Sequence, residues 1–376
     1  MLHSIYINNF RTLVNFSMSF DSMNLLMGAN GSGKSSVFDV LYRLRLLLSG
    51  GQHTVKELFP YEDFTRWNKH VAPNQQFEVV LDDKEHGTYR YKLVIEHLIK
   101  DGKNRIGLEE LLHENKPLYR YEAKNEGHAR LYRDDYSEGP EVLFDWNRSG
   151  IGILEERPYN TKLARFRERF QALFVIKINL PAVSPEAPKE DAMPAQDLQN
   201  FASWYRFISL TQQGQVFTLL SVLRDIIPGF DSLSLETAGE SKLLNVHFRN
   251  EDGELVTYRF SRLSDGQKIL IILYSLLHCL PGKDVILCID EPENYLALPE
   301  VQHWLDALEE KVENGEIQAL LISHHPRLIN FLAEYAGKWL YREGAVSPTR
   351  VKSIIIDEPD GLPPSKLVEM GWIIDD

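Results

Sequence analysis

The stretch MGANGSGKSS, residues 27–36, constrains this chain more than any other. It sets Gly28, Gly33, Lys34 and Ser35 at the spacing G-x-x-x-x-G-K-S. The apolar run NLLM precedes it, and Val37, Leu41, Leu44 and Leu48 follow at helical intervals. A buried strand, a glycine-rich turn and an amphipathic helix in that order make a phosphate-binding loop. Glycines at 28, 31 and 33 let the backbone curl until its N–H groups face phosphate oxygens. Lys34 brings positive charge to the β- and γ-phosphates, and the Ser35 hydroxyl is a ligand for Mg²⁺. Ala29, Asn30, Ser32 and Ser36 complete the loop around the nucleotide.

Two later segments repeat the theme of an apolar strand with chemistry at its end. Residues 284–300, DVILCIDEPENYLALPE, run as a buried parallel-type strand into Asp290 and Glu291, and Pro292 stops it. An acid at such a strand end holds the Mg²⁺ shell, which assigns Asp290 to the metal and Glu291 to the attacking water. Residues 319–326, ALLISHHP, end in His324 and His325. Open α/β sheets bind ligands at the carboxyl ends of their strands. His324 is therefore expected at the γ-phosphate, and His325 is read as structural. Between the phosphate loop and these strands, LSDGQK at 263–268 opens the apolar run ILIILYSLL. A polar turn at a helix N-terminus suits an anion, so the chain carries two phosphate-binding turns.

The order of these elements resembles the ABC-type ATPases, and within them the RecF/SMC/OLD-like branch. INNFRTL, GANGSGKSS, LSDGQ, IDEPENYL and ISHHP carry the resemblance. Members of the branch show N-F-[K/R], G-x-N-G-x-G-K-[S/T], L-S-x-G-x, D-E-P-E-x-x-L-H-P and T-H-S-P. Ala297 stands where the family has His, and Ser323-His324-His325 replaces Thr-His-Ser. The resemblance implies an α/β fold, a P-loop NTPase head of ABC type with a mainly β insertion and a helical subdomain. It implies ATP and Mg²⁺ as cofactors and hydrolysis to ADP and phosphate, with Lys34, Glu291 and His324 catalytic. It further implies a homodimer in which Ser264, Gly266 and Gln267 of one subunit bind the γ-phosphate held by the other. Arg11 either contacts the nucleotide or is a plain surface arginine. The glutamine that senses Mg²⁺ in such heads has Gln171 as its candidate.

The rest of the chain sets the alternatives. The expected division is an N-terminal head part at 1–76, a mainly β insertion at 77–180 and a linker with four prolines at 181–195. A helical subdomain with strands at 196–254, a C-terminal head part at 255–345 and a tail at 346–376 follow. Short alternating runs over 77–155 predict an antiparallel meander, and EDG at 251–253 a hairpin turn. TKLARFRERFQALF puts Lys162, Arg165, Arg167 and Arg169 opposite an apolar face, either a solvated basic face or a nucleic-acid groove. SIIIDEPDGLPP, 353–364, imitates the acid-tipped strand but follows the histidine motif, so it is read as a terminal strand and turn. A net charge of −13 argues against indiscriminate nucleic-acid coating and leaves DNA open as a local partner. Two cysteines at 279 and 288 fit no zinc or redox spacing. No signal peptide or membrane-crossing run is recognised, which predicts a cytoplasmic protein without membrane contact. The reading is an ATP-clamped switch or scaffold in DNA maintenance, DNA repair or anti-phage defence. Because 325–376 is too short for a nuclease domain, the effector is expected on a separate chain. A transporter ATP-binding subunit and a non-hydrolysing scaffold are the alternatives. No heptad persists, so no long coiled coil is expected.

Overall fold

The computed structural model describes residues 1–67, 74–98, 103–125, 127–282, 284–354 and 362–370. The chain opens with strands β1 (Leu2–Asn8), β2 (Phe16–Ser19) and β3 (Met23–Met27), then helices α1 (Lys34–Leu47) and α2 (Val55–Leu58). Six strands follow: β4 (Asn74–Asp83), β5 (Gly87–Leu98), β6 (Lys103–His113), β7 (Lys116–Glu122), β8 (His128–Tyr132) and β9 (Glu138–Leu143). Then come α3 (Gly150–Ile153), α4 (Thr161–Gln171), β10 (Leu173–Lys177), β11 (Glu186–Ala187), α5 (Phe201–Thr211) and α6 (Gln213–Ile226). Strands β12 (Phe230–Ala238), β13 (Ser241–Arg249) and β14 (Leu255–Arg259) lead into α7 (Asp265–Cys279). The remainder is β15 (Val285–Asp290), α8 (Leu298–Glu313), β16 (Ile317–Ile322), α9 (Pro326–Ala336), β17 (Gly337–Tyr341), β18 (Arg350–Ser353) and α10 (Pro364–Met370).

Three sheets result. The central one runs β10-β15-β16-β3-β17-β18 and is parallel except for β18. Its parallel strands are largely buried on both faces, which is why most of them read as continuous apolar runs. Alternation divides them between two cores. Leu25, Leu287, Ile289 and Leu321 join the core built with α5 to α9. Leu26, Ile286, Cys288 and Leu320 join the one built with α1, α4 and the large antiparallel sheet. Cys279 and Cys288 are buried thiols, and desolvation pushes the Cys279 pKa up to about 12.

The meander is present, in the order β4-β5-β6-β7-β8-β9, and β13 and β14 pair as the expected hairpin. The large sheet does not break at residue 76, however. It continues through β1 and β2, with Ile5 opposite Val79 and Ile7 opposite Phe77. Nor is β10 part of the insertion's sheet; it is the outer strand of the central one. The proline-rich segment contains β11, which pairs with β13. Residues 355–361 of the imitation acid motif lie outside the described residues, as do residues 371–376.

Candidate nucleotide site

The carboxyl ends of β3, β10, β15 and β16 converge on one cavity of about 480 Å³. Its lining includes Arg11, Asn30 to Ser36, Lys177, Asp290, Glu291, Asn294, His324 and Arg342. Parallel pairing explains the convergence. Asp290 is level with Ile322 on one side and Lys177 on the other, so three strand ends deliver their last side chains together.

The loop between β3 and α1 is held in its curl by its own residues and by the C-terminal strands. Ser32 N–H donates to the Ala29 carbonyl at 3.1 Å. Lys34 Nζ donates to the Gly28 and Ala29 carbonyls at 2.7 and 3.1 Å, folded back over the loop. Burial lowers the Lys34 pKa, while Asp290 and Glu291 oppose that effect. Thr349, just before β18, donates through Oγ1 to the Ser32 carbonyl at 2.9 Å, and its own N–H reaches the Thr12 carbonyl at 2.9 Å. Arg342 Nη1 donates to the Gly31 carbonyl at 3.3 Å. The first amides of α1, at Lys34 and Ser35, have no carbonyl within the helix to receive them and remain for an anion.

Across the cavity, Ser35 Oγ donates to Asp290 Oδ2 at 3.3 Å. Burial raises the Asp290 pKa; Lys177 opposes that and Glu291 adds to it. Glu291 has φ 52°, a left-handed conformation that a residue with a side chain adopts only at a cost. Its N–H is fixed on the Ile322 carbonyl at 2.9 Å, and its carboxylate accepts from Asn294 Nδ2 at 2.9 Å. His324 is exposed in the cavity. Desolvation and the nearby Lys34 charge lower its pKa, while Glu291 and Asp290 oppose that effect. The buried Glu293 braces this turn: its Oε1 accepts from Ser323 Oγ at 2.5 Å, and that same Oγ accepts the His325 N–H at 2.9 Å. His325 caps α9 through Nδ1, in keeping with a structural role.

Among the described residues no cluster of three or more His, Cys, Asp or Glu stands ready for a metal. Ser35 and Asp290 supply two hard oxygens on the cavity wall, which suits an Mg²⁺ ion that takes its other ligands from phosphates and water.

The motif 263–267 lies elsewhere; none of these residues lines the cavity. Ser264 caps α7 reciprocally: its Oγ accepts from Gln267 N–H at 3.3 Å, and Gln267 Oε1 accepts from Ser264 N–H at 3.1 Å. That leaves Asp265 and Gly266, the first two helical positions, with free amides at the helix end.

Gln171 and Arg11 are placed as follows. Gln171 is not at the crevice. It lies just before β10, whose far end at Lys177 is the one in the cavity, and its Nε2 donates to the Arg45 carbonyl at 3.4 Å. Arg11 reaches the cavity wall, but its guanidinium is bound to Asp63 at 2.8 Å and Asp39 at 2.5 Å. Sequence reading missed Lys177, Asn294, Arg342 and Thr349. The one usable signal was that LFVIK, like VILCID, is an apolar strand ending in a charge.

A family model described as AAA domain, putative AbiEii toxin, Type IV TA system matches residues 23–330, most of the chain and nearly all the cavity's residues. The chain belongs to this AAA-domain family. The AAA-domain chain also resembles solved heads in fold. The crystal structure of the SmcHead bound to the C-winged helix domain of ScpA has a TM-score of 0.56 at 13% identity, covering 95% of this chain and 98% of that one. The SMC head domain from Thermotoga maritima has a TM-score of 0.51 at 12% identity, covering 94% and 99%. No curated protein matches the sequence. The AAA-domain chain therefore has an ABC-type head fold like that of these SMC heads. None of its described helices is long and apolar enough to cross a membrane.

Proposed function

We propose that this AAA-domain protein binds Mg²⁺–ATP and hydrolyses its β–γ bond. The observation that carries the reading is the meeting of Lys34, Ser35, Asp290, Glu291 and His324 in one cavity, with Glu291 held in a strained conformation above the metal-side acid. Lys34 and the loop amides bind phosphates. Ser35 and Asp290 would hold Mg²⁺, which supplies charge neutralisation at the phosphates. Glu291 orients and deprotonates the attacking water, and His324 donates a hydrogen bond to the γ-phosphate as charge develops there.

The active unit is a pair of heads closed on ATP. Ser264, Gly266 and Gln267 lie outside their own chain's cavity, so they suit the phosphate of a second copy. We assign the protein to a switch or scaffold role in DNA maintenance or anti-phage defence, acting with a separately encoded effector. The family's description, AAA domain, putative AbiEii toxin, Type IV TA system, supports the defence side. The SMC head solved with ScpA supports a head that engages a partner. Against a general DNA groove on α4, Arg165 and Arg169 are paired with Asp83, Arg167 donates to the Leu154 carbonyl, and Lys162 to the Asp134 carbonyl. The basic face fastens α4 to its neighbours.

The test is Glu291→Gln in the purified protein. ATP turnover should fall by at least about a hundredfold while ATP affinity holds and an ATP-dependent dimer accumulates in sedimentation, since removing a general base costs about that much. Full activity of the variant would remove Glu291 from the reaction.

A further inference from the structure

Lys177 is the cation of this cavity for which neither a motif nor the fold supplies a role. It closes β10 in parallel register with Asp290, and its Nζ stands 4.0 Å from Asp290 Oδ2. That is the same oxygen that receives the Ser35 hydroxyl. The two lysines reach the cavity from different strands. Lys34 is buried and tied to two carbonyls of its own loop. The Lys177 side chain is 69% exposed and its one ion pair is the loose one to Asp290, so its head is free to swing. Its backbone is not: Lys177 N–H is held by the Gln196 carbonyl at 2.7 Å, and Asn179 N–H by Asp197 at 3.2 Å.

We propose that Lys177 is a second phosphate-binding lysine, specific for the terminal phosphate of a nucleoside triphosphate. The inference rests on the reading of this cavity as an Mg²⁺–ATP site and deepens it. Lys177 shares Asp290 Oδ2 with Ser35. With a divalent cation held by Asp290 and Ser35, the Lys177 ammonium would be repelled from that oxygen, because both charges are positive. The displaced head needs a new anion within reach of a fixed backbone, and a γ-phosphate beside Asp290, Glu291 and His324 is that anion. ADP lacks the group, so Lys177 adds to the discrimination between the two nucleotides that Lys34 and His324 begin.

The experiment compares Lys177→Met and Lys177→Arg with the unmodified protein, by calorimetric titration with Mg²⁺–AMP-PNP and Mg²⁺–ADP. An exposed lysine tolerates both changes without loss of fold. For Lys177→Met, AMP-PNP binding should weaken by about tenfold and ADP binding stay within about twofold, the weight of one hydrogen bond to a charged group. Lys177→Arg should restore most of the difference. Equal effects on both nucleotides, or none on either, would overturn the role of Lys177 while leaving the ATP site intact. Failure of the unmodified protein to bind either nucleotide would instead sink the reading of the cavity itself.

Discussion

At Gly28 the phosphate loop passes so close to β17 that a methyl group has no room. A Cβ built there falls 2.0 Å from the Leu340 carbonyl oxygen, at a backbone φ of 142°. Gly31, three residues on in the same loop, meets nothing within 4 Å. Gly28→Ala should therefore lower the melting temperature of the nucleotide-free protein by several degrees. Gly31→Ala, which carries only the roughly 1 kcal/mol strain of a left-handed alanine, should change it little. Differential scanning calorimetry of the two variants decides it, and equal melting temperatures would contradict the packing argument. The comparison also shows what was legible at this scale. Lys34, Ser35, Asp290, Glu291 and His324 were readable because each sits in a contiguous motif whose local geometry determines its chemistry. Thr349 and Arg342 were not. They reach the loop from over 300 positions away in sequence, through β17 and β18, and no short pattern encodes a partner that distant.

At the scale of elements, the meander was readable because each of its strands pairs with the next through a short connection, whereas the pairing of β1 with β4 depends on long-range closure. The buried joint between β6 and α3 was equally hidden. Glu109 on β6 is enclosed, with Oε1 accepting from Tyr91 at 3.0 Å and from Ser149, and Oε2 accepting the Gly150 N–H at 2.9 Å. Desolvation pushes its pKa up to about 7 despite those donors. A carboxyl whose folded pKa lies above its unfolded one binds its proton more tightly in the fold. Between the ordinary value of 4.5 and about 7, the unfolded chain gives up that proton while the folded chain keeps it, so stability falls as pH rises and levels off above 7. The full effect is on the order of 3 kcal/mol. Urea midpoints at about pH 5 and about pH 8 should drop for the unmodified protein and drop distinctly less for Glu109→Gln. An identical drop in both would assign the pH dependence to other groups, such as Asp290 and Glu293, whose pKa values burial also raises.

At the scale of the molecule, the question is why a chain with a complete-looking cavity keeps a second anion-binding turn away from it. The capping pair Ser264–Gln267 consumes two groups and leaves the Asp265 and Gly266 amides at the α7 terminus. Tyr295 and Leu298 stand exposed beside it, and the Tyr295 carbonyl comes within 3.3 Å of where a Gly266 Cβ would lie. The turn thus lies against the loop after Asp290, and the proposed pairing of heads would bring an anion to its amides. A second head carrying Mg²⁺–ATP would supply it. Each chain bears a net charge of −13, so on the proposed reading two heads would repel one another until a shared nucleotide outweighed that cost. ATPase activity per chain should accordingly rise with protein concentration. At a fixed low concentration it should rise again as salt goes from about 20 to about 150 mM and the repulsion is screened. Ser264→Arg, which fills the turn with a side chain and removes a cap worth about 1 kcal/mol, should bind ATP normally yet show no rise and almost no turnover. Circular dichroism establishes that the variant is folded, and steady-state assays across the concentration series read the result. A specific activity that stays flat for the unmodified protein at every concentration would mean that each head completes its chemistry alone, and the turn at 263–267 would then need a different anion.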